Sequence, residues 1–432
     1  MRALTLLKFL LLLSLAIRCG GVLAQNAVTD WSAIAEKAVV ANRPPASSQV
    51  LLGIVHAAMY DAVVAIEPGY EPFASAGTAS PTASSSAAVA TAAYLVLKAK
   101  VPAQEPALSA AYQSFLATLA DGANAREGIA VGERTAAAIL AWRKDDGSDA
   151  TVAYAQRAPA PGMWEITGEP AIAVDFKLSN VKPLVLVSAG QFRPAGPLVL
   201  SSEAYSRDLV ETKRIGGKSS PARTAAQTET AMFWSEHTAV QWSRTLRNLA
   251  VERKLDVRES ARMLAMAHVA SADALIACFD AKYFALGWRP IHAIQRSALS
   301  GAAAADKGWE PLLNVNHPEY PSAHACWTSA ALVAIATYFG TPNTVFTMES
   351  TVTKTARRYD NAADALAECT EARIMSGLHF RHSMADGATL GRDVAQYVLA
   401  HKFRAVPLGG DRGSGRRRVG RASLSAISRR RS

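Results

Sequence analysis

Alanine-rich apolar segments constrain the fold of this chain more than any other feature of its sequence. Residues 50–68 read VLLGIVHAAMYDAVVAIEP, and similar segments recur after residue 225. Alanine has the highest helix propensity, and no alternating apolar and polar pattern of any length indicates strands. Aromatic residues make up only 7% of the 432 residues. The sequence therefore predicts an all-α fold in which helices pack on helices.

The distribution of proline and glycine predicts how the chain is organised. Residues 143–220 are rich in Pro, Gly and Asp, which predicts long loops of the kind that cover active sites. We expect an N-terminal helical region with long loops over residues 25–224 and a C-terminal catalytic bundle over 225–405. Within the bundle, periodicity predicts helices over residues 228–249, 257–288, 322–338, 351–374 and 385–403.

The first 24 residues have the form of a secretory signal peptide. MRALTLLKFLLLLSLAIRCGGVLA begins with positive charge, continues as an apolar run and ends in small residues, so cleavage is expected after Ala24. A membrane anchor is the alternative, but Lys8 and Arg18 leave the run short for a span. The sequence predicts an exported protein, periplasmic or secreted, with no membrane span after cleavage.

The net charge of +10 is concentrated at the two ends of the chain. The signal region carries three basic residues, and residues 411–432 carry eight Arg and one Asp, so the body is neutral. Residues 406–432 are predicted to be a disordered, solvated basic tail, with nucleic-acid binding as the less favoured alternative. Cys278, Cys326 and Cys369 remain after cleavage. Their wide spacing and apolar surroundings predict buried thiols without a metal signature.

The segment YPSAHACWTSA, residues 320–330, indicates an anion site. A Pro, a Ser and a His stand at the start of an apolar helix, where backbone N–H groups without helical partners attract anions. Ser322 adds a hydroxyl group there. His324 adds a side chain that can take or give a proton near neutral pH.

Cations placed on either side of this segment complete the pattern. Lys282 and Arg289 are seven residues apart, close to two helical turns, so we expect them on one face, with Pro290 marking a helix end. Arg373 and His379 are six apart, and a break at Gly377 would turn the histidine back towards the arginine. Three cations, a helix N-terminus and two histidines form a complete oxyanion site.

The order of these residues resembles a known superfamily. Lys282…Arg289-Pro290, Pro321-Ser322-Ala323-His324 and Arg373…His379 are similar to the motifs of the vanadium-dependent haloperoxidases and type 2 phosphatidic acid phosphatases. The motifs cover about 100 residues. HAAMYDAV (residues 56–63) and FWSEH (233–237) also resemble the soluble, exported haloperoxidase branch.

The resemblance implies two helical bundles with the anion site in the C-terminal one, a vanadate cofactor, and a possible homo-oligomer. It implies hydrogen peroxide, halide and an organic acceptor as reaction partners. Lys282, Arg289 and Arg373 would neutralise the oxygens of vanadate, and Ser322 and the Ala323 N–H would hydrogen-bond them. His379 would be the axial metal ligand and His324 the acid–base residue.

Departures from the family pattern keep a second function open. Ala323 replaces the usual Gly, and Ala372 the common Ser before Arg373. Ser383 replaces a carboxylate that often stands four residues after His379 and orients it in the phosphatases. The last departure favours a haloperoxidase. The alternative is a soluble, exported acid phosphatase with a phospho-His379 intermediate, and a carboxylate from elsewhere in the fold could orient that histidine.

Two further residues are candidates for the site. His317 stands five residues before Ser322, where bromide-oxidising relatives tend to carry His and chloride-oxidising relatives Phe, so bromide is favoured. A loop histidine without contact to the site is the alternative. Glu236 is a candidate for orienting a catalytic histidine.

Overall fold

Helices make up nearly all regular structure in the residues that the computed structural model describes. These are residues 26–41, 43–74, 77–120, 122–167, 171–297 and 304–406. The predicted all-α class is confirmed. The predicted signal peptide, and all of the predicted tail except residue 406, lie outside the described residues.

The elements fall into an N-terminal and a C-terminal series. The N-terminal helices are α1 (Ala27–Val40), α2 (Pro45–Ile66), α3 (Ser85–Lys100), α4 (Glu105–Leu116), α5 (Ala123–Trp142) and α6 (Glu203–Gly216). The C-terminal series comprises α7 (Ala225–Phe233), α8 (Thr238–Glu252), α9 (Val257–Ala285), α10 (Pro290–Gln295), α11 (Ala323–Phe339), β1 (Phe346–Ser350), β2 (Thr355–Tyr359), α12 (Ala362–Met375) and α13 (Arg381–His401).

Helix α9 is the central element. It begins with a capping box in which the Asp256 side chain accepts the Glu259 N–H and Glu259 reaches back to the Asp256 N–H. It packs on α2 from the N-terminal series and on α11 and α13 from the C-terminal series. Both α2 and α9 are long and apolar enough to cross a membrane, but 100% and 94% of their apolar windows are buried within the protein.

One hydrophobic core joins the two series of helices. It contains residues from α1 to α5 as well as from α8, α9 and α11 to α13. This shared core does not test the domain boundary predicted near residue 225, which stays a prediction. Cys278, Cys326 and Cys369 lie in this core as free thiols, as predicted. A smaller second cluster lies beside it and includes Tyr205, Leu209, Trp288, Ala293, Ile294, Trp309 and Phe380.

The helix predicted over residues 351–374 is wrong in its first part. Residues 346–359 form an antiparallel hairpin of β1 and β2, in which Phe346 pairs with Tyr359 and Ser350 with Thr355. Lys354 adopts a left-handed conformation in the turn (φ 58°). Helix α12 begins only at Ala362, where the Asn361 side chain accepts the Asp364 N–H.

The starts of α11 and α13 are held together, and this positions the two parts of the predicted site. The Ser322 N–H donates to the Ser383 carbonyl at 3.1 Å. Two glycines of α13 permit this approach, since a Cβ added at Gly387 would lie 2.7 Å from the Ser322 oxygen and one at Gly391 only 2.1 Å from the Cys326 oxygen. The close crossing therefore places Ser322 beside the segment that carries His379.

We expect Gly391→Ala to lower the free energy of unfolding by about 1–3 kcal/mol, because its methyl group forces α13 away from α11. The matched control is Gln396→Ala on the exposed face of the same helix, with an expected change within about 0.5 kcal/mol. Chemical denaturation of both variants measures the difference. An equal decrease in the free energy of unfolding in the two variants would contradict the close packing of α13 on α11.

Candidate active site

A cavity of about 180 Å³ lies where the start of α2, the middle of α9 and the start of α11 meet. Five of the eight residues predicted for the site line it, namely His317, Ala323, His324, Arg373 and His379. The other three, Lys282, Arg289 and Ser322, do not line it. They are almost fully buried, with exposed fractions of 0%, 1% and 0%.

Lys282 and Arg289 do not share a helix face, so that expectation is wrong. Helix α9 ends at Ala285 because Leu286 turns left-handed (φ 51°), and Arg289 is the N-cap residue of α10. The two cations are brought together by the segment 317–319. Lys282 Nζ donates to the Pro318 and Glu319 carbonyls at 2.8 and 3.1 Å, and Arg289 Nε donates to the His317 carbonyl at 2.8 Å.

The predicted break at Gly377 is confirmed. Gly377 has φ 70°, and α12 ends two residues before it. The turn brings His379 beside Arg289, whose Nη1 donates to the Leu378 carbonyl at 2.8 Å and lies 3.4 Å from His379 Nε2. Arg373 on α12 donates from Nη1 to the Trp234 carbonyl at 2.9 Å, while its buried Nε has no partner.

Hydrogen bonds fix the tautomer of His379. Arginine can only donate, so Nε2 of His379 accepts from Arg289 and carries no proton. The proton is on Nδ1, which donates to Glu319 Oε1 at 2.9 Å. Burial, followed by the charges of Arg289, Lys282 and Arg373, lowers the pKa of His379 well below its usual value. The imidazole is therefore neutral, and a ligand would bind its Nε2 lone pair in place of the long 3.4 Å contact from Arg289.

Glu319 is the residue that the sequence analysis missed. Its Oε1 accepts from both His379 Nδ1 and the Phe380 N–H, at 2.9 and 3.1 Å. Ser383, at the position where the carboxylate was sought, lies 3.4 Å from the same Nδ1. The carboxylate that orients His379 therefore stands three residues before Ser322, and not four residues after His379, where the family pattern often places it. The argument against a phosphatase that rested on Ser383 therefore does not hold.

His324 borders the cavity on the side of α8. Thr238 Oγ1 lies 3.1 Å from its Nε2. Burial and then the Arg373 charge lower the pKa of His324 well below the usual value, so the ring is neutral and can accept a proton. Glu236 does not orient a histidine. It pairs with Arg244 at 2.7 Å and accepts from the Thr351 hydroxyl, so that candidate role is wrong.

His317 is in contact with the site. Its Nδ1 accepts from Arg289 Nη2 at 2.8 Å, which assigns the ring proton to Nε2. Its ring centroid is 5.3 Å from that of Phe279, another residue of the cavity wall. Burial, then the Lys282 and Arg289 charges, lower the pKa of His317 well below its usual value. The alternative of a loop histidine without contact to the site is wrong.

The helix start at residues 321–324 differs from the prediction by one position. Ser322 is the N-cap, so Pro321 precedes the helix instead of occupying its first position. The Ser322 hydroxyl accepts the Ala325 N–H at 3.4 Å and still has its own proton to donate. Ala323 lines the cavity as the first helical residue, where backbone N–H groups have no helical partner.

The charges around the cavity are not balanced. Within the described part of the chain, none of Lys282, Arg289 and Arg373 forms an ion pair with a carboxylate, although all three are buried. Burial lowers the pKa of Lys282 to about 8. A carboxylate at the cavity edge, Asp175, accepts instead from Ser47 at the start of α2, and burial raises its pKa to about 6. Such a set of donors fits a compact oxyanion.

Comparisons with known proteins show which fold this chain shares. The family model for the VCPO second helical-bundle domain matches residues 262–406. No match was found among the curated proteins. The chain is similar to a solved bacterial vanadium-dependent iodoperoxidase, with 23% identity and a TM-score of 0.76, over 88% of this chain and 96% of that one.

A holo-type bacterial vanadium-dependent chloroperoxidase is also similar, with 17% identity and a TM-score of 0.68, over 84% of this chain and 94% of the other. At these identities the likeness shows a shared fold. Together with the family model, it confirms the resemblance to the vanadium haloperoxidase and type 2 phosphatidic acid phosphatase superfamily.

We expect Glu319→Gln to tighten binding of inorganic phosphate about tenfold. The glutamine oxygen can accept both hydrogen bonds, so only the negative charge near the cations is removed. Isothermal titration at pH 7 measures the affinity, and Ser383→Ala, which changes no charge, is the control. Unchanged affinity would mean that the Glu319 carboxyl is already neutral, which contradicts our assignment of a carboxylate.

We expect phosphate affinity to fall as pH rises above about 8, because Lys282 attracts the anion only while it is protonated and its pKa in the free protein is about 8. The decrease should approach tenfold per pH unit. Phosphate itself also titrates, so the measurement is the ratio of affinities of the wild type and Lys282→Arg, whose guanidinium stays charged. A ratio that is constant from pH 6.5 to 9.5 would contradict the prediction.

Proposed function

We propose that this protein is a vanadate-dependent haloperoxidase, in which halide, hydrogen peroxide and a proton give hypohalous acid and water, with bromide favoured. The observation that carries the proposal is a neutral His379 at a cavity that Arg373 and the start of α11 also line, with Lys282 and Arg289 buried behind its wall. At about 180 Å³ the cavity has room for an oxyanion and a peroxide molecule but not for a large organic substrate.

The unbalanced charge supports an oxyanion cofactor. Arg373 lines the cavity and its buried Nε has no partner, while Lys282 and Arg289 are fixed behind the wall by carbonyl oxygens. We assign to these three residues the neutralisation of the vanadate oxygens. The Ser322 hydroxyl and the Ala323 N–H would donate to the same oxygens. Bound vanadate would supply the Lewis-acid centre that activates peroxide towards halide.

The two histidines have separate roles in this proposal. His379 would bind the metal through Nε2, and its Nδ1 proton, held by Glu319, keeps the ring in the required tautomer. His324 is neutral and positioned by Thr238, so it can take a proton from peroxide as peroxide binds and return it to the departing oxygen.

His317 supports the preference for bromide. Its proton-bearing Nε2 belongs to a ring that lines the cavity and is held by Arg289 through the other nitrogen. A neutral N–H donor of this kind can hydrogen-bond a halide beside the cations. The similar structures include both an iodoperoxidase and a chloroperoxidase, so the preference rests on His317.

An acid phosphatase is the second candidate, and the contact between Glu319 and His379 favours it. A carboxylate that holds Nδ1–H leaves Nε2 as a nucleophile for phosphorus, and the same cations would neutralise a phosphoryl group. In that case the neutral His324 would act as the general base for the water that releases phosphate from His379.

We also propose that the protein is exported and that the hypohalous acid formed halogenates an organic acceptor. The signal-like sequence of residues 1–24 supports the first part, and the chemistry of hypohalous acid supports the second.

We expect purified protein, freed of anions and then given orthovanadate, to brominate a chlorinated dimedone with bromide and peroxide, faster than it chlorinates with chloride. His379→Ala should reduce the rate at least about 100-fold, because the metal loses its protein ligand. His401→Ala, a substitution of an exposed histidine at the end of α13, is the matched control and should keep full activity.

Hydrolysis of p-nitrophenyl phosphate by the vanadate-free protein is measured in parallel. Phosphate release without bromination, lost in the same His379→Ala variant, would replace the haloperoxidase proposal by the phosphatase. Bromination that needs no vanadate would contradict both.

A further inference from the structure

A second cavity of about 260 Å³ lies on the other side of Glu319, and we call it the back cavity. Its walls come from the loop at Pro161–Met163, the segment 197–200, α6 and the start of α13. Most of its surface is apolar and includes Leu198, Leu200, Trp288 and Phe380. Val199 on its rim is 70% exposed, so the back cavity reaches the protein surface.

The cavity of about 180 Å³ that His379 lines is called the anion cavity from here on. One hydrogen-bonded pair separates the back cavity from it. His379 lines the anion cavity, and Glu319 and Ser383 line the back cavity. The bond between Glu319 Oε1 and His379 Nδ1, 2.9 Å long, forms the partition. A ligand in the back cavity therefore has no direct access to Arg373 or to the His379 Nε2.

The two cavities differ in charge. No Arg or Lys is found among the described residues that line the back cavity, whose polar groups include Asp208, Glu319 and His382. Asp208 Oδ2 accepts the His382 N–H at 2.9 Å, which fixes the carboxyl group at the cavity wall. His382 lies 3.2 Å from Asp386 and stacks on Tyr320. These groups disfavour an anion and offer acceptors to a hydrogen-bond donor.

The size of the back cavity indicates a small ring compound. An apolar protein cavity of about 150 Å³ is sufficient for benzene. The back cavity exceeds that volume and has aromatic walls, with Tyr205 and Phe380 in edge contact at 5.8 Å. One or two rings can therefore be enclosed.

We propose that the back cavity binds a neutral ring compound that carries a hydroxyl group, with the ring against Trp288 and Phe380 and the hydroxyl donating to Asp208. The inference is independent of the proposed function, because the binding requires neither vanadate nor turnover.

The test is a fluorine NMR titration of the full chain with 4-fluorophenol, fluorobenzene and 4-fluorobenzoate. We expect 4-fluorophenol to bind with a Kd of about 1 mM or less. It should bind at least about tenfold more tightly than 4-fluorobenzoate, whose charge is opposed by the carboxylates. Saturating phosphate, which would occupy the anion cavity, should change the 4-fluorophenol affinity less than about twofold. Equal binding of phenol and benzoate, or competition by phosphate, would overturn the proposal.

Two variants locate the site. Leu200→Trp should fill the back cavity and abolish 4-fluorophenol binding, whereas Val187→Trp, at an 82% exposed position, should leave it unchanged. Asp208→Asn should lower the affinity for 4-fluorophenol about tenfold and leave the affinity for fluorobenzene nearly unchanged. This variant also tests the site if Leu200→Trp does not fold. Unchanged 4-fluorophenol affinity in a folded Leu200→Trp or in Asp208→Asn would overturn the proposal. Because none of these measurements uses vanadate or peroxide, their failure is distinguishable from failure of the haloperoxidase proposal.

Discussion

The burial of three cations that form no ion pair within the described residues is the constraint on which the rest of the site depends. Lys282, Arg289 and Arg373 each donate to backbone carbonyls of distant segments, at Pro318, Leu378 and Trp234. These bonds satisfy the charged groups without neutralising them. A buried charge without a counter-ion is unfavourable, so binding an anion in the cavity lowers the free energy of the folded protein.

The sequence predicted the helices and most of the site because those signals are local. The helix start near Ser322 and the break at Gly377 each follow from a few neighbouring residues. The shared helix face for Lys282 and Arg289 was wrong because spacing alone does not show that α9 ends at Ala285. The hairpin at residues 346–359 was missed because its strands are short and only one alternates clearly, with Phe346, Met348 and Ser350 buried.

Glu319 was missed for a different reason. It is 60 residues from His379 in the chain, and the two meet only because Gly387 and Gly391 let α13 approach α11. No local pattern contains this information. The sequence does carry one signal, an acidic residue flanked by two prolines in the segment NHPEYPS that leads to Ser322, and an acidic residue that becomes buried requires a partner. That reasoning identifies Glu319 as a candidate without identifying His379 as its partner.

The geometry also explains why one site can serve two chemistries. A peroxidase needs a metal ligand and a phosphatase needs a nucleophile, and both are met by the Nε2 lone pair of a neutral histidine whose other nitrogen is bound to a carboxylate. The cations act on the oxygens of either anion. The wall of the cavity also carries the neutral His317 and Phe279, and neither adds a cation that could bind a phosphate ester. The residues that hold the anion therefore do not distinguish the two reactions.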